Sequence, residues 1–312
     1  MISYQFILHT VFYGLLICLC VRQRYQLQVN EITSRSLTEV STTTDITIPS
    51  GNSWKSLNVW IGNHSIGLRK GHSFSQVGQD LVVSTLLRCL KEGFFIDLAA
   101  NDATRFSNTA MLESTLHWNG ICIEPNPKYW KRLAYRKCQF VGAVVGAHDD
   151  DVVSFLFNDV FGGIQGLRNG KYGNPTDSKG AKMEKSPVIS FTSLLQNFNA
   201  PSIIDYLSLD IEGAETLAMK AFPFHAYKIR VITVERPDQE LQKLLKENGY
   251  IFALKLGGFG EQVYVHESEA HAMGILSKLP NFGIQQPDSL YFPSKEVGGV
   301  FYNKCGVDQS RH

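Results

Sequence analysis

Three short apolar runs in this chain close on an acid: Phe94-Phe95-Ile96-Asp97-Leu98, Ile121-Cys122-Ile123-Glu124, and Asp205 through Asp210. A carboxylate at a strand end can accept hydrogen bonds from a sugar diol, take a proton from a hydroxyl, or ligate a hard cation. Any one of them can instead cap the following helix. Three together on one edge favour a binding site. Glu124 closes the second run, the position that binds a ribose in doubly wound sheets. Asp210, Glu212 and Glu235 are candidate proton acceptors, and His225, just after a helical stretch, is a lesser candidate. Asp210 and Glu212 could alternatively hold a divalent cation. Two carboxylates alone do not define such a site, and bound metal is the less favoured reading.

The elements that must position these acids alternate between apolar strands and amphipathic stretches from about Phe74 onward. Strands are expected at 94–98, 121–124, 140–145, 205–210, 231–235, 250–256 and 262–266. Helices fall near 107–118, 126–135, 214–222 and 239–248, the second opened by Asn126 as N-cap and Pro127 in the first turn. Alternation of this kind implies an α/β fold: a doubly wound, seven-stranded, mostly parallel sheet. Only the turn Gly257-Gly258-Phe259-Gly260 separates the last two strands, which should therefore form a C-terminal antiparallel hairpin.

Neither a G-x-G-x-x-G nor a G-x-x-x-x-G-K-[ST] pattern is present, so a pyrophosphate or triphosphate lacks its usual glycine cradle. The loop after the first parallel strand reads Ala99-Ala100-Asn101-Asp102-Ala103 instead. Its small residues admit a close ligand. Ribose and adenine without phosphate fit this combination, and S-adenosyl-L-methionine is the common ligand of that kind.

Six blocks carry a resemblance: Phe74-Ser75-Gln76-x-Gly78-Gln79-Asp80, Phe95 through Asp102, Ser107-Asn108-Thr109, Ile123-Glu124-Pro125-Asn126-Pro127, Tyr206 through Glu215, and Thr233-Val234-Glu235-Arg236-Pro237. In that order, from about Ser73 to His266, they resemble the FkbM family of methyltransferases. The resemblance implies a class I, Rossmann-like S-adenosyl-L-methionine-dependent methyltransferase, usually acting on oxygen. It implies that Asp97, Ala99, Ala100 and Asn101 face the methionine part of the cofactor, with Gln79 closing over it. Asn108 and Pro125 fall within the matched blocks and are counted with the cofactor-binding residues. Glu124 would bind the ribose hydroxyls, and Gly142 and Ala143 would lie near the adenine. Asp210 and Glu212 would sit beside the transferred methyl. Many members have glycine at the positions of Ala99 and Ala103, and the added methyl is tolerable where φ stays negative.

The remaining chain divides unequally. Residues 1–21 include the uncharged apolar stretch Ile2–Val21, read as a transmembrane signal anchor, with a cleaved signal peptide as the alternative. Residues 22–72 are rich in Ser and Thr between Thr33 and Ser50 and read as a flexible stem. The methyltransferase-like domain occupies 73–267, and 268–312 is a C-terminal extension without clear periodicity. Asn63-His64-Ser65 is a glycosylation sequon with an allowed middle residue. These features suggest the secretory pathway, and the resemblance, whose eukaryotic lumenal members are often single-pass membrane proteins, implies a protein of the Golgi or endoplasmic reticulum with its domain in the lumen, or alternatively a secreted one.

A net charge of +1, from 30 Lys and Arg against 29 Asp and Glu, argues against nucleic acid as a partner. The expected partners are a small-molecule or glycan acceptor and, through the N-terminal helix, a membrane. Oligomeric state is left open. Cys122 falls inside a strand and reads as a buried small hydrophobe. Cys89, Cys138 and Cys305 are free to pair, and no Cys or His spacing suggests zinc. The segment 161–187, with its glycines and basic residues, is either a substrate lid or a disordered surface excursion, and its position at the binding edge favours the lid. The alternative to an enzyme is a non-catalytic membrane trafficking or binding protein on the same fold, as the Star-like proteins that resemble this family suggest.

Overall fold

The computed structural model describes residues 58–61, 72–149, 151–157, 162–164, 182–257 and 260–272. The apolar stretch at 2–21, most of the stem, the sequon at Asn63, Cys305 and most of the C-terminal extension lie outside them. Among the described residues no helix is long and apolar enough to cross a membrane.

In chain order the elements are β1 (Asn58–Ile61), α1 (Gln79–Leu86), β2 (Phe94–Leu98), α2 (Ala110–Leu116), β3 (Asn119–Ile123), α3 (Pro127–Leu133) and β4 (Gln139–Gly142). After these come β5 (Val144–Gly146), β6 (Val152–Phe157), β7 (Gly163–Ile164), β8 (Lys182–Ser190), α4 (Phe191–Asn197), β9 (Ile203–Leu209) and α5 (Glu215–Lys220). The chain continues through β10 (Lys228–Glu235), α6 (Gln239–Glu247), β11 (Tyr250–Leu256), β12 (Glu261–His266) and α7 (Glu267–Ala272).

The large sheet has the order β1-β4-β3-β2-β9-β10-β12-β11. Strands β4, β3, β2, β9 and β10 run parallel, while β12 is antiparallel to both β10 and β11. The expected seven strands and the terminal hairpin are therefore present. An eighth, β1, pairs antiparallel with β4 and extends the sheet into the range read as stem. Its four residues, NVWI, are a short apolar run, and β4 would otherwise be an open edge.

Alternation of side chains distributes the apolar residues between two cores, one on each face. Ile96, Leu98, Ile121, Ile123, Leu207 and Leu209 face one way and pack with Leu194, Met219 and Leu241 from α4, α5 and α6. Phe95, Cys122, Phe140 and Tyr206 face the other way and pack with Val83, Met111 and Leu133 from α1, α2 and α3. Asp97 lies two residues beyond Phe95 and so shares this second face, where water does not reach it.

Three expectations are corrected. The strand expected at 140–145 is two strands in different sheets: the chain leaves the large sheet after Gly142, and β5 joins a small sheet ordered β5-β8-β6-β7. The proposed lid at 161–187 begins and ends as strands of that sheet, β7 and β8. Residues 165–181 between them lie outside the described residues. The domain also runs past 267, because α7 packs Ala270 into the second core, and Glu269 pairs with Arg230 at 2.9 Å and Lys228 at 3.1 Å.

Cys122 is buried as expected, but it is not a free thiol. It forms a disulfide with Cys138, 16 residues on, at a Cα–Cα distance of 5.9 Å. The bond ties the penultimate residue of β3 to the residue before β4, across the helix α3 that joins them. Closing a loop of this length restricts the unfolded chain by about 3 kcal/mol. Replacing Cys138 with Ala should lower the unfolding free energy by about 2–4 kcal/mol in a urea titration, and dithiothreitol should lower the wild-type midpoint at least as far, since it also opens the bond at Cys89.

Candidate functional site

The chain winds outward from β2 to β3 and β4, then returns to place β9 on the other side of β2. This reversal between β2 and β9 is the switch point at which open α/β sheets leave a crevice beyond the carboxyl ends of their strands. A cleft lies there. Its walls include Leu98, Ala99 and Asn101 after β2, Ile123 to Asn126 after β3, Ala143 to Val145, and Asp210 to Glu212 after β9. The small sheet closes it with Phe155, Gly162 and Ile164.

Glu124 holds two of these loops together. One carboxylate oxygen accepts from the backbone N–H of Asn101 at 2.8 Å and the other from that of Asn126 at 2.7 Å. An ionised carboxylate offers about four lone-pair sites, so two remain for a ligand. Burial pushes the Glu124 carboxyl up to about 7, against the two amide donors that pull it down. The loop carries backbone strain. Ala99 has φ 61° and Asn101 φ 54°, so Ala99 does not keep the negative φ expected of it. Asn tolerates that region, whereas Ala pays about 1–2 kcal/mol there.

Behind the cleft, Asp97 is 2% exposed and anchors a polar network on the second face of the sheet. Its Oδ2 accepts from the Thr109 hydroxyl at 2.6 Å, and Ser208, its register partner on β9, donates to it as well. Asn108 Nδ2 in turn donates to Ser208 at 3.0 Å. The Thr109 oxygen accepts from Arg136 at 3.1 Å, and Arg136 also donates to Ser107 at 3.0 Å and to Glu113 at 3.1 and 3.2 Å. Arg136 and Glu113 are almost entirely sealed from solvent. Burial raises the Asp97 carboxyl above its ordinary value, with Thr109, Arg136 and Ser208 each opposing the rise. The network continues sideways: Thr233 lies in register with Ser208, bonds the Tyr206 hydroxyl at 2.7 Å, and donates to Glu261.

A second group of acids sits at the ends of β9 and β10. Asp210, Glu212 and Glu235 each bring a carboxylate oxygen within 4.8 Å of the others. Glu261 lies opposite Glu235 in the β10–β12 register, is 3% exposed, and accepts from Thr233 and Gln79. Burial first, then the charge of Glu235, pushes Glu261 up to about 8. Asp210 is raised well above its ordinary range by burial and by the charges of Glu235, Glu261 and Glu212. Arg236 is the cation of this group, paired with Glu235 and 3.8 Å from Glu212. Glu212 and Gly213 both have positive φ, and Glu215 Oε1 fixes their loop by accepting from Ile211 N at 3.1 Å and Gly213 N at 3.0 Å.

Of the residues singled out in the sequence, Ala99, Asn101, Glu124, Pro125, Ala143, Asp210 and Glu212 line the cleft. Asp97, Ala100 and Asn108 stand behind its wall, and Glu235 stands beside Asp210 in the acid group. Gln79 is buried and bonded to Glu261, not closed over the cleft. Gly142 is not on the wall; a Cβ there would come within 2.8 Å of the Trp130 ring, so its small size serves the packing of α3. His225 is exposed in the turn after α5. Sequence reasoning missed Arg136, Glu113, Glu215 and Glu261. Glu215 alone carried a signal, as an acid in the first turn of a helix beside the loop.

Three stability measurements check this geometry. Glu113→Gln leaves the Arg136 guanidinium buried without its partner and should cost about 3–5 kcal/mol of unfolding free energy. Arg132→Ala, which removes the half-exposed pair with Asp102, should cost under about 1 kcal/mol. Ala99→Gly should instead raise stability by about 1 kcal/mol, since glycine adopts φ 61° without strain.

Two of the comparisons with known proteins return a match. The model of the methyltransferase FkbM domain matches residues 97–252, half of the chain. No curated protein matches. Among solved structures, precorrin-6y C5,15-methyltransferase from Geobacter metallireducens GS-15 is similar at 12% identity, over 66% of this chain and 95% of that one, with a TM-score of 0.32. The family match spans the strands, loops and acids that build the cleft, and the chain belongs to the FkbM methyltransferase family.

Proposed function

We propose that the protein is an S-adenosyl-L-methionine-dependent methyltransferase that methylates a hydroxyl of a glycan or other small molecule in the secretory pathway. The observation that carries this reading is Glu124: a buried carboxylate on the cleft wall with two backbone donors satisfied and two acceptor sites left for a ribose diol. The side-chain oxygen of Asn101, on the cleft wall, is sealed from solvent and has no donor, which suits a ligand carrying an ammonium group.

S-Adenosyl-L-methionine, when bound, supplies a methyl group on a cationic sulfur, and the carbon–sulfur electron pair stays with sulfur as the carbon–oxygen bond forms. The chain's own residues do the rest. The 99–101 and 210–212 loops orient the reactants from opposite sides of the switch point, and alignment supplies much of the acceleration. Asp210, with Glu212 and Glu235 beside it, takes the hydroxyl proton. A carboxylate held well above its ordinary range suits that task better than an ordinary one, because its proton affinity lies nearer that of the group it must deprotonate.

The secretory assignment draws on the Cys122–Cys138 disulfide and on Cys89, which is disulfide-bonded as well. Such bonds persist in oxidising compartments. The apolar stretch at 2–21 and the Ser/Thr-rich stem agree with a lumenal domain on a single-pass anchor.

Calorimetric titration of the full chain with S-adenosylhomocysteine tests the reading. Binding is expected to strengthen as pH rises towards about 7 and then level off, because the ribose hydroxyls need the ionised form of Glu124. The sign follows from linkage: a ligand that prefers the deprotonated acid binds better above the acid's pKa. Glu124→Gln should weaken binding by about 10- to 100-fold and flatten the profile. Folded protein that binds neither S-adenosylhomocysteine nor S-adenosyl-L-methionine at millimolar concentration would overturn the enzyme and leave a non-catalytic binding protein.

A further inference from the structure

The acid group at the ends of β9 and β10 has a property that methyl transfer alone does not require. Its three carboxylates each bring an oxygen within 4.8 Å of the others, and Arg236 pairs with Glu235 and lies 3.8 Å from Glu212. Asp210 Oδ1 receives nothing: it is shut off from solvent and no donor reaches it. A sealed carboxylate oxygen without a donor is costly, since burial has removed its water and returned no hydrogen bond. The oxygen lies in the acid group itself and needs a positive partner there.

We propose that Asp210, Glu212 and Glu235 bind one divalent cation of the hard, oxygen-seeking class, Mg²⁺ or Mn²⁺. Two ligands of one such ion, at about 2.1 Å each, lie at most about 4.2 Å apart, so the oxygens need only small side-chain rotations to close on it. The donor set is carboxylate alone, with no His or Cys, which selects against zinc and copper. Asp210 and Glu212 come from the loop after β9 and Glu235 from the last position of the parallel neighbour β10, and the loop after each strand is fixed. Glu215 holds the first through the N–H groups of Ile211 and Gly213, and Gly260 O holds the second by accepting from Arg236 N at 3.1 Å. Glu261 is not a fourth ligand, because it lies outside the group whose oxygens all come within 4.8 Å of one another. Asp210 and Glu212 line the cleft, so the open coordination positions face the acceptor. A hydroxyl bound there would lose its proton more readily, and the neighbouring carboxylate would receive it. In that respect the inference rests on the methyl-transfer reading; as a binding site it does not.

The test is a titration of metal-stripped full chain with Mn²⁺, following the signal of free Mn²⁺ by electron paramagnetic resonance, with no cofactor present. One saturable site per chain, competed by Mg²⁺, is expected. Asp210→Asn and Glu212→Gln should each weaken it by about tenfold or more, and His225→Ala, in an exposed turn, should leave it unchanged. Binding of S-adenosylhomocysteine in the presence of a chelator, measured on the same samples, reports folding and tests the methyltransferase reading separately. Protein that binds S-adenosylhomocysteine but shows no saturable Mn²⁺ site would overturn the proposal and assign the bare oxygen to a proton shared with Glu235. Mn²⁺ binding that survives both substitutions would overturn it equally, as adventitious.

Discussion

Arg136 is the side chain on which the geometry of the binding edge depends. Its guanidinium has no access to water, and an unpaired charge in that position would cost several kcal/mol. The cost is met because its donors are directed at groups that themselves need a partner. Glu113 on α2 takes two, Ser107 and Thr109 ahead of α2 take two more, and the Phe95 ring on β2 lies 5.7 Å from the guanidinium carbon. Glu113 also accepts from the backbone N–H of Lys137 and Cys138, so the same acid fixes the entry to β4. One ion pair therefore fastens two successive crossovers to each other. Thr109, held by Arg136, presents its proton to Asp97, and Asp97 is the start of the polar row that runs along β2, β9 and β10. Removing any member would leave the others buried without partners, which is why such networks tend to be retained or lost as units.

The edge thereby holds acids in distinct electrostatic settings only a few residues from strand ends. Glu124 has two amide donors and remains available near neutrality. Asp97 is screened by an arginine and two hydroxyls and faces away from the cleft. Asp210 has other acids for company and lies far above its ordinary range. Carboxylates whose surroundings push them apart in this way can take separate roles in one pocket.

How much of this could be read from the chain alone depended on whether a feature is local. Strand-end acids, the Asn126 cap that accepts from Lys128 at 3.1 Å, and the terminal hairpin are set by neighbours in sequence, and each was legible. Arg136 looks like any basic residue near a helix end, and Glu113 like any acid on a helix surface. Only the packing of α2 against β3 and β4 turns them inward. Glu261 follows a glycine-rich turn and is brought opposite Glu235 by pairing with a strand distant in sequence. The positive φ of Ala99 contradicts the ordinary preference of alanine and is imposed by the loop that Glu124 holds. The disulfide was missed because Cys122 is apolar enough to pass as core, and the second cysteine lies across a helix from it.

The departure of the chain from the large sheet at Ala143 has a bearing on how this family can change. One wall of the cleft belongs to a sheet whose strands make no ladder with the central eight, so a change in that sheet would leave the register of the parallel strands untouched. Phe155, Gly162 and Ile164 can thus be replaced, lengthened or reshaped by lineage while the acids opposite them stay where the parallel strands put them. The scaffold separates what is inherited from what is free to diverge, and the boundary between them is a single peptide step wide.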